Sequence, residues 1–340
     1  MYAFTLHTRT HSIKSTHRAM AGKRTHEARE GKSDTPKCSN PNCTSGSYSL
    51  QSCARCRSVA YCSRECQTVS WPSHKAQCKR QNYIIKFHLC PGEVKDPEVI
   101  RTLSCPATAT FDELHQALQV AFQWFSTHTY DFTIPDPAYR MPETLKESID
   151  QMRLASMAQF KPELAATLPR QNLLRVVNPS PQMFVDQGSE PTRKHPNTLE
   201  KKAHQYKLFQ FFEDQQYQGK QMVYTYDFGD NWRHQMSLEG RGPPTTDFKC
   251  VSAEGHYVAE DVGSPSGWEK LKAAYRTSNP TQQQKEKREW YESDCSNGEK
   301  EGLTGRENEV DKFLIDYVLG GMRSAGLTND GRQNPYAGEN

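Results

Sequence analysis

Eight potential metal ligands fall within residues 38–78: Cys38, Cys43, Cys53, Cys56, Cys62, Cys66, His74 and Cys78. They come as four pairs, with four, two, three and three residues inside successive pairs. Such spacings present two ligands from one turn of backbone, and a tetrahedral zinc site needs four at about 2.0–2.3 Å. Four pairs therefore fill two Zn²⁺ sites and leave no position for water. A closed shell of this kind is structural, because a catalytic zinc keeps a site open for water or substrate. Spacing leaves open which pairs share an ion: sequential and interleaved schemes both give one Cys₄ and one Cys₃His site.

The surroundings suit zinc. Only deprotonated thiolates bind the ion, and Arg55, Arg57, Arg64, Lys75, Lys79 and Arg80 lie nearby to offset their charge. A disulfide framework has no role for a histidine at metal spacing, and no secretory apolar segment precedes the cluster. Seven of the 11 cysteines sit in this stretch, while Cys90, Cys105, Cys250 and Cys295 are scattered. That distribution suits a reducing compartment, nuclear or cytoplasmic. The lack of acidic residues before Glu27 keeps a mitochondrial leader as the alternative, and Met20 offers a second start.

The runs Cys53-Ala-Arg-Cys56, Tyr61-Cys62-Ser-Arg-Glu-Cys66-Gln67 and Trp71-Pro-Ser-His74-Lys75-Ala-Gln-Cys78 resemble the MYND zinc finger along its length. The resemblance implies interleaved pairing, with Cys38, Cys43, Cys62 and Cys66 on one ion and Cys53, Cys56, His74 and Cys78 on the other. The first pair departs from the family, which usually has two residues between these cysteines. The resemblance also implies a partner protein with a proline-containing segment, gripped by Gln67 and Trp71. An aromatic face gives a proline ring low-entropy apolar contact; Trp71 equally suits a roof over a small zinc core. A DNA-binding finger would need a basic recognition helix, which is absent, and nothing resembles the cofactor motifs of SET methyltransferases.

The chain of 340 residues has room for two domains with linkers. Hydrophobic residues make up 35%, and 20 glycines still leave apolar usage below the about 45–50% of ordinary globular chains. Residues 1–37 read as a disordered basic tail. A net charge of +3 does not argue for nucleic acid, and no apolar run of about 18 residues argues for a membrane span. From residue 82 the pattern is that of a folded domain. Residues 83–90 alternate with period two and predict a strand, as do 99–105 and 129–134. Thr110 and Glu113 form a capping box for a helix with Phe111, Leu114, Leu118, Ala121, Phe122 and Phe125 on one face. A long polar insertion is expected over about 136–205, with a helix after Pro142 bearing Leu145, Ile149, Met152 and Met157 and a proline- and charge-rich part at 178–203.

Two alternating runs flank Gly229-Asp230-Asn231 within 222–238 and predict a β-hairpin, since Gly, Asp and Asn tolerate positive φ. A glycine-punctuated loop over 250–267 contains Glu260-Asp261-Val262-Gly263, and Ser266 and Glu269 are spaced as a second capping box. Leu114-His115 with Trp124 and His128, Tyr224-Thr-Tyr-Asp-Phe-Gly-Asp-Asn-Trp-Arg-His234, and Cys250 with Glu260-Asp261-Val262-Gly263 and Gly267-Trp268 resemble the plasmid pRiA4b open-reading-frame-three-like family over about 82–276. This chain departs from the family at Val258-Ala259, where prolines are usual. Joined to a MYND finger, the arrangement resembles a group of fungal proteins of unassigned activity. Residues 279–340 are expected to hold a polar linker, a helix at about 307–319 with Val310, Phe313, Leu314, Tyr317 and Val318 on its docking face, and a disordered end.

The fold expected is therefore α+β: a two-zinc cross-brace finger at 38–78, then an α+β domain of antiparallel strands and hairpins. The function expected is a zinc-binding, protein-interacting adaptor. The alternative is a metal-dependent enzyme in which Asp227, Asp230, His234, Glu260 and Asp261, with His128, converge as metal ligands or an acid/base pair; turn chemistry alone also accounts for Asp227, Asp230 and Asn231.

Overall fold

The computed structural model describes residues 37–45, 49–158, 160–177, 193 and 195–325. Most of the basic tail, much of the 178–203 insertion and residues 326–340 lie outside the described residues.

In the finger, the short strands β1 (Gln51–Ser52) and β2 (Ala60–Tyr61) pair antiparallel. Helix α1 (Arg64–His74) follows, capped by Ser63, whose hydroxyl accepts from the Cys66 amide at 3.3 Å. A 3₁₀ turn, Lys75–Gln77, carries the chain to Cys78.

The rest is one eight-stranded sheet with one helix buried along nearly its whole length. Its strands are β3 (Asn82–Leu89), β4 (Ile100–Cys105), β5 (Tyr130–Pro135), β6 (Asn172–Val177), β7 (Leu199–Lys202), β8 (Met222–Tyr226), β9 (Trp232–Gly242) and β10 (Lys249–Glu254), in the spatial order β10-β4-β3-β9-β8-β5-β6-β7. All neighbours are antiparallel except β6 and β7. The period-two runs become β3 and the β8–β9 hairpin, where Tyr226 faces Trp232 across a five-residue loop. Positive φ in that loop falls on Asp227 and Asn231, at 55° and 58°; the middle of the turn does not need it.

Helix α2 (Phe111–Phe122) begins at the expected capping box, with Thr110 Oγ1 accepting from the Glu113 amide (3.1 Å) and Glu113 Oε2 from the Thr110 amide (2.7 Å). It ends at Gln123 in the left-handed region, so Phe125 lies beyond the helix and is exposed. Helices α3 (Leu145–Ala158) and α4 (Pro162–Ala165) precede β6. The expected insertion is thus partly regular: β6 is an interior strand paired with both β5 and β7. After the short α5 (Leu208–Phe212), the remaining helices are α6 (Ser264–Arg276), α7 (Gln282–Ser293) and α8 (Lys312–Ala325).

Three expectations are corrected here. Helix α6 starts at Ser264 behind Gly263, not at a Ser266/Glu269 box; Glu269 instead meets Lys272 Nζ (2.9 Å) and the Lys95 amide (3.3 Å). The polar run after 279 is mostly helix α7, capped by Thr281 and Gln284 and anchored by the fully buried Tyr291. Its sequence looks like linker because two aromatics, Tyr291 and the half-buried Trp290, hold a helix whose other face is solvated. Helix α8 packs on α2 and β10 through Ile315, Leu319 and Met322. Phe313 (82% exposed), Leu314, Tyr317 and Val318 face outward.

Candidate metal centres

The finger brings its eight ligands into two groups, Cys38/Cys43/Cys62/Cys66 and Cys53/Cys56/His74/Cys78, with the ligating atoms of each within 4.8 Å of one another. Pairing is interleaved. Each group joins ligands from the loops to ligands from α1 or the turn after it: Cys62 and Cys66 flank the helix start, and His74 and Cys78 its end. In the first group Cys43 Sγ and Cys62 Sγ are 3.4 Å apart and Cys62 Sγ and Cys66 Sγ 3.6 Å. In the second, Cys53 Sγ and Cys78 Sγ are 3.7 Å apart and Cys56 Sγ and His74 Nε2 3.5 Å. Tetrahedral zinc with the usual bond lengths has edges of about 3.8 Å between sulfurs and about 3.5 Å between sulfur and nitrogen. The donor sets therefore fit two structural Zn²⁺ ions. The Cys62 amide donates to Cys38 Sγ (3.4 Å) and Asn40 Nδ2 to Cys66 Sγ (3.3 Å), the outer hydrogen bonds expected around a thiolate site. Trp71 packs edge-on to the His74 ring at 5.8 Å and, with Val59, covers the buried Cys53, Cys56 and Cys78. Arg80 pairs with Glu213 at 3.3 Å rather than facing the thiolates.

In the sheet domain the five acidic and imidazole candidates separate. Asp227 sits at the end of β8, buried, with Oδ1 accepting from the amides of Gly229 (2.9 Å) and Asp230 (3.3 Å). Burial raises its carboxyl pKa, and the neighbouring His128 lowers it in part. His128 Nε2 lies 3.0 Å from Asp261 Oδ1 and 3.9 Å from Asp227 Oδ2, and the three form a third close group. Asp230 stands beside it, accepting from the Gly263 amide at 3.0 Å.

Glu260 and His234 do different work. Glu260 is buried and saturated: Oε1 accepts from Tyr226 Oη (2.5 Å) and Thr127 Oγ1 (3.1 Å), Oε2 from the Phe125 amide (3.2 Å) and Ser296 Oγ (3.1 Å). Four donors tie β8, the turn after α2 and the loop before Asn297 to one carboxylate, leaving it no free lone pair for a ligand. His234 is fully buried among Phe122, Trp124 and Tyr224, and burial lowers its pKa to about 3. Its Nδ1 faces the carbonyls of Trp232 (3.1 Å) and Tyr224 (3.4 Å), which fixes the proton there. Its alternation with Trp232 and Met236, all buried, is the signal that places it inside.

Two buried polar groups lay outside the sequence-based candidates. Asp131 on β5 is held between Arg175 Nε (2.7 Å) and Arg193 Nε and Nη2 (2.8 and 2.6 Å). Burial raises its carboxyl pKa, and the two guanidiniums more than offset that, leaving it lowered. On α2, His115 stacks on Tyr130 at 3.6 Å and meets Tyr224 Oη at 2.8 Å; burial lowers its pKa to about 3. A charged residue within an apolar strand run, as at Asp131, is the one sequence signal for the first.

A cross-brace double-zinc finger followed by an eight-stranded, mostly antiparallel sheet with the buried helix α2 is the class of protein these features define. The chain belongs to the plasmid pRiA4b ORF-3-like protein family, whose model matches residues 83–300, and a MYND finger model matches residues 37–78. The family match runs past 276 and takes in α7. The uncharacterized protein y4hQ of Sinorhizobium fredii is 23% identical over 235 residues, which is 68% of this chain and 90% of that protein. SET domain-containing protein 14 of Caenorhabditis elegans and human histone-lysine N-methyltransferase SMYD3 are each 46% identical over 37 residues, 11% of this chain and 9% of theirs. A Methanosarcina mazei protein of unknown function, MM3350, covers 68% of this chain and 96% of itself at 18% identity and a TM-score of 0.42. MYND fingers are protein-interaction modules. No helix among the described residues is long and apolar enough to cross a membrane.

The family's motif glycines and the departures from it have physical reasons. A Cβ on Gly267 would lie 2.1 Å from the Val262 carbonyl oxygen, so only glycine lets α6 start against that loop. Val258 and Ala259 are fully buried, and the Val258 carbonyl accepts from Trp124 Nε1 (3.0 Å) and Asn297 Nδ2 (2.9 Å). The loop is held by those bonds.

Proposed function

We propose that this protein is a zinc-stabilised adaptor whose finger captures a proline-containing segment of a partner protein through Gln67 and Trp71. The observation that carries the reading is the disposition of these two side chains on α1. They stand four residues apart and so share a helix face, both are half-buried, and neither is a zinc ligand. The Gln67 side chain makes no hydrogen bond among the described residues, which leaves its amide to pair with a peptide backbone. The part of the Trp71 ring not packed on His74 supplies a flat apolar surface for a proline ring. Exposed Lys75 and Lys79 favour acidic residues beside the proline.

The test is calorimetric titration of the zinc-loaded chain with proline-containing peptides, beside the Trp71→Ala and Gln67→Ala variants. Trp71→Ala is expected to abolish binding with both zinc ions retained, and Gln67→Ala to weaken it by about 1–2 kcal/mol, the worth of a lost hydrogen bond at a desolvated contact. Full peptide affinity in Trp71→Ala would place the groove elsewhere. Loss of zinc in that variant would show the tryptophan to be only a structural roof.

A further inference from the structure

Three segments far apart in sequence meet at one end of the sheet: the residues just before β5, the end of β8, and the loop leading into α6. They bring together His128 Nε2, Asp227 Oδ2 and Asp261 Oδ1, at 3.9 Å and 3.0 Å from the imidazole nitrogen. Ligands at about 2.0–2.2 Å from one ion, at angles between octahedral and tetrahedral, stand about 2.8–3.6 Å from each other; the His128–Asp261 spacing already lies in that range, and the His128–Asp227 spacing enters it with a shift of a few tenths of an ångström.

The decisive feature is Asp227. It is only 4% exposed, and both turn amides that it accepts from go to Oδ1. Oδ2 accepts no hydrogen bond among the described residues and faces the cluster. Its charged neighbour is the His128 imidazole, 3.9 Å away, and a cation between Oδ2 and that ring nitrogen is a closer partner for the carboxylate. The side chain is not free to turn elsewhere. Its own amide donates to the Thr129 carbonyl (2.9 Å), and its carbonyl accepts from the Asn231 amide (2.6 Å). Asp261 is framed as firmly: the Glu260 amide before it donates to Asn297 Oδ1 (2.8 Å), and the Gly263 amide after it to Asp230 Oδ2 (3.0 Å). The His128 ring stands edge-on to Tyr226 at 5.9 Å.

We infer that these three side chains form a third metal site, for a divalent cation held by one imidazole and two carboxylates with its remaining positions open to solvent. Asp261 is 61% exposed at its side chain and His128 27%, so the open positions face outward and admit water or an anionic group of a ligand. One nitrogen and two hard oxygens suit Mn²⁺, Fe²⁺ or Zn²⁺, whereas the thiolates of the finger hold zinc by softness. The two kinds of site therefore sort metals differently. The inference is independent of peptide capture by the finger.

The experiment uses the whole zinc-loaded chain and Mn²⁺, whose free aquo ion is counted by electron paramagnetic resonance. The expected result is one Mn²⁺ bound per chain with two zinc ions retained, and at least a tenfold weaker Kd in both Asp261→Asn and His128→Ala. Asparagine accepts the positive φ of 59° at position 261, so the first variant removes charge without disturbing the backbone; thermal melts check both folds. Absence of bound Mn²⁺ in the wild type, or wild-type affinity in either folded variant, overturns the site.

Discussion

The finger and the sheet domain are held together by different physics within one chain. The finger's buried apolar cluster is little more than Cys53, Cys56 and Cys78 with Val59 and Trp71 against them, and its strands are two residues long. The sheet domain has a continuous core that includes fully buried Phe87, Leu103, Phe111, Leu118, Tyr224 and Leu271. In the first, metal–ligand bonds stand where a core would be. In the second, the buried carboxylates Glu260 and Asp131 are met by hydrogen bonds or opposite charges. Ligand spacing thus specifies a fold over about forty residues with almost no apolar burial, while the larger unit depends on which face of each element turns inward.

The strongest way to break the comparison is to remove the metal. Chelation is expected to unfold the finger, since structural zinc is worth on the order of 10–16 kcal/mol in finger peptides at neutral pH, and to release two zinc ions per chain. The sheet domain should keep a cooperative calorimetric transition. If that transition vanishes with the zinc, the two regions are one folding unit.

Acid sharpens it next. His115 and His234 are buried neutral, each with a folded pKa lowered to about 3, against about 6.5 when unfolded. The unfolded chain therefore binds more protons between those values, and stability present above pH 6.5 is lost as pH falls. Each histidine should cost the sheet domain about 1.6 kcal/mol between pH 6.5 and pH 5, the slope rising toward about 1.36 kcal/mol per pH unit as the unfolded histidine becomes fully protonated. Denaturant melts of the wild type and His115→Gln at the two pH values measure this. An unchanged slope in the variant would mean that His115 is protonated or accessible in the folded state.

The last contrast lies on one helix. Leu319, fully buried on α8, should cost about 2–5 kcal/mol as Leu319→Ala, whereas Phe313→Ser on the opposite face should stay within about 0.5 kcal/mol. Denaturant midpoints decide it. Equal losses would show that the outward face is covered in solution.

Much of the finger was legible because its rules are local. The four ligand pairs, the Thr110/Glu113 box, the alternation of β3 and the hairpin around Gly229 each lie within fewer than about twenty residues, and they could be read from the sequence. The same local logic misassigned α8: Phe313, Leu314, Tyr317 and Val318 make a stripe as regular as Ile315, Leu319 and Met322, and periodicity cannot tell which of two stripes meets a neighbour. Likewise spacing alone allowed two ways of sharing ligands between ions. The tertiary structure has the interleaved pairs that the MYND resemblance implied, and it alone brought His128, Asp227 and Asp261 within reach of one cation while turning His234 into the core and saturating Glu260, and set Arg175 and Arg193 against Asp131. Those outcomes depend on contacts between segments up to about a hundred or more residues apart, where burial and hydrogen-bond satisfaction are decided by what packs opposite rather than by the residue's own neighbours in the chain.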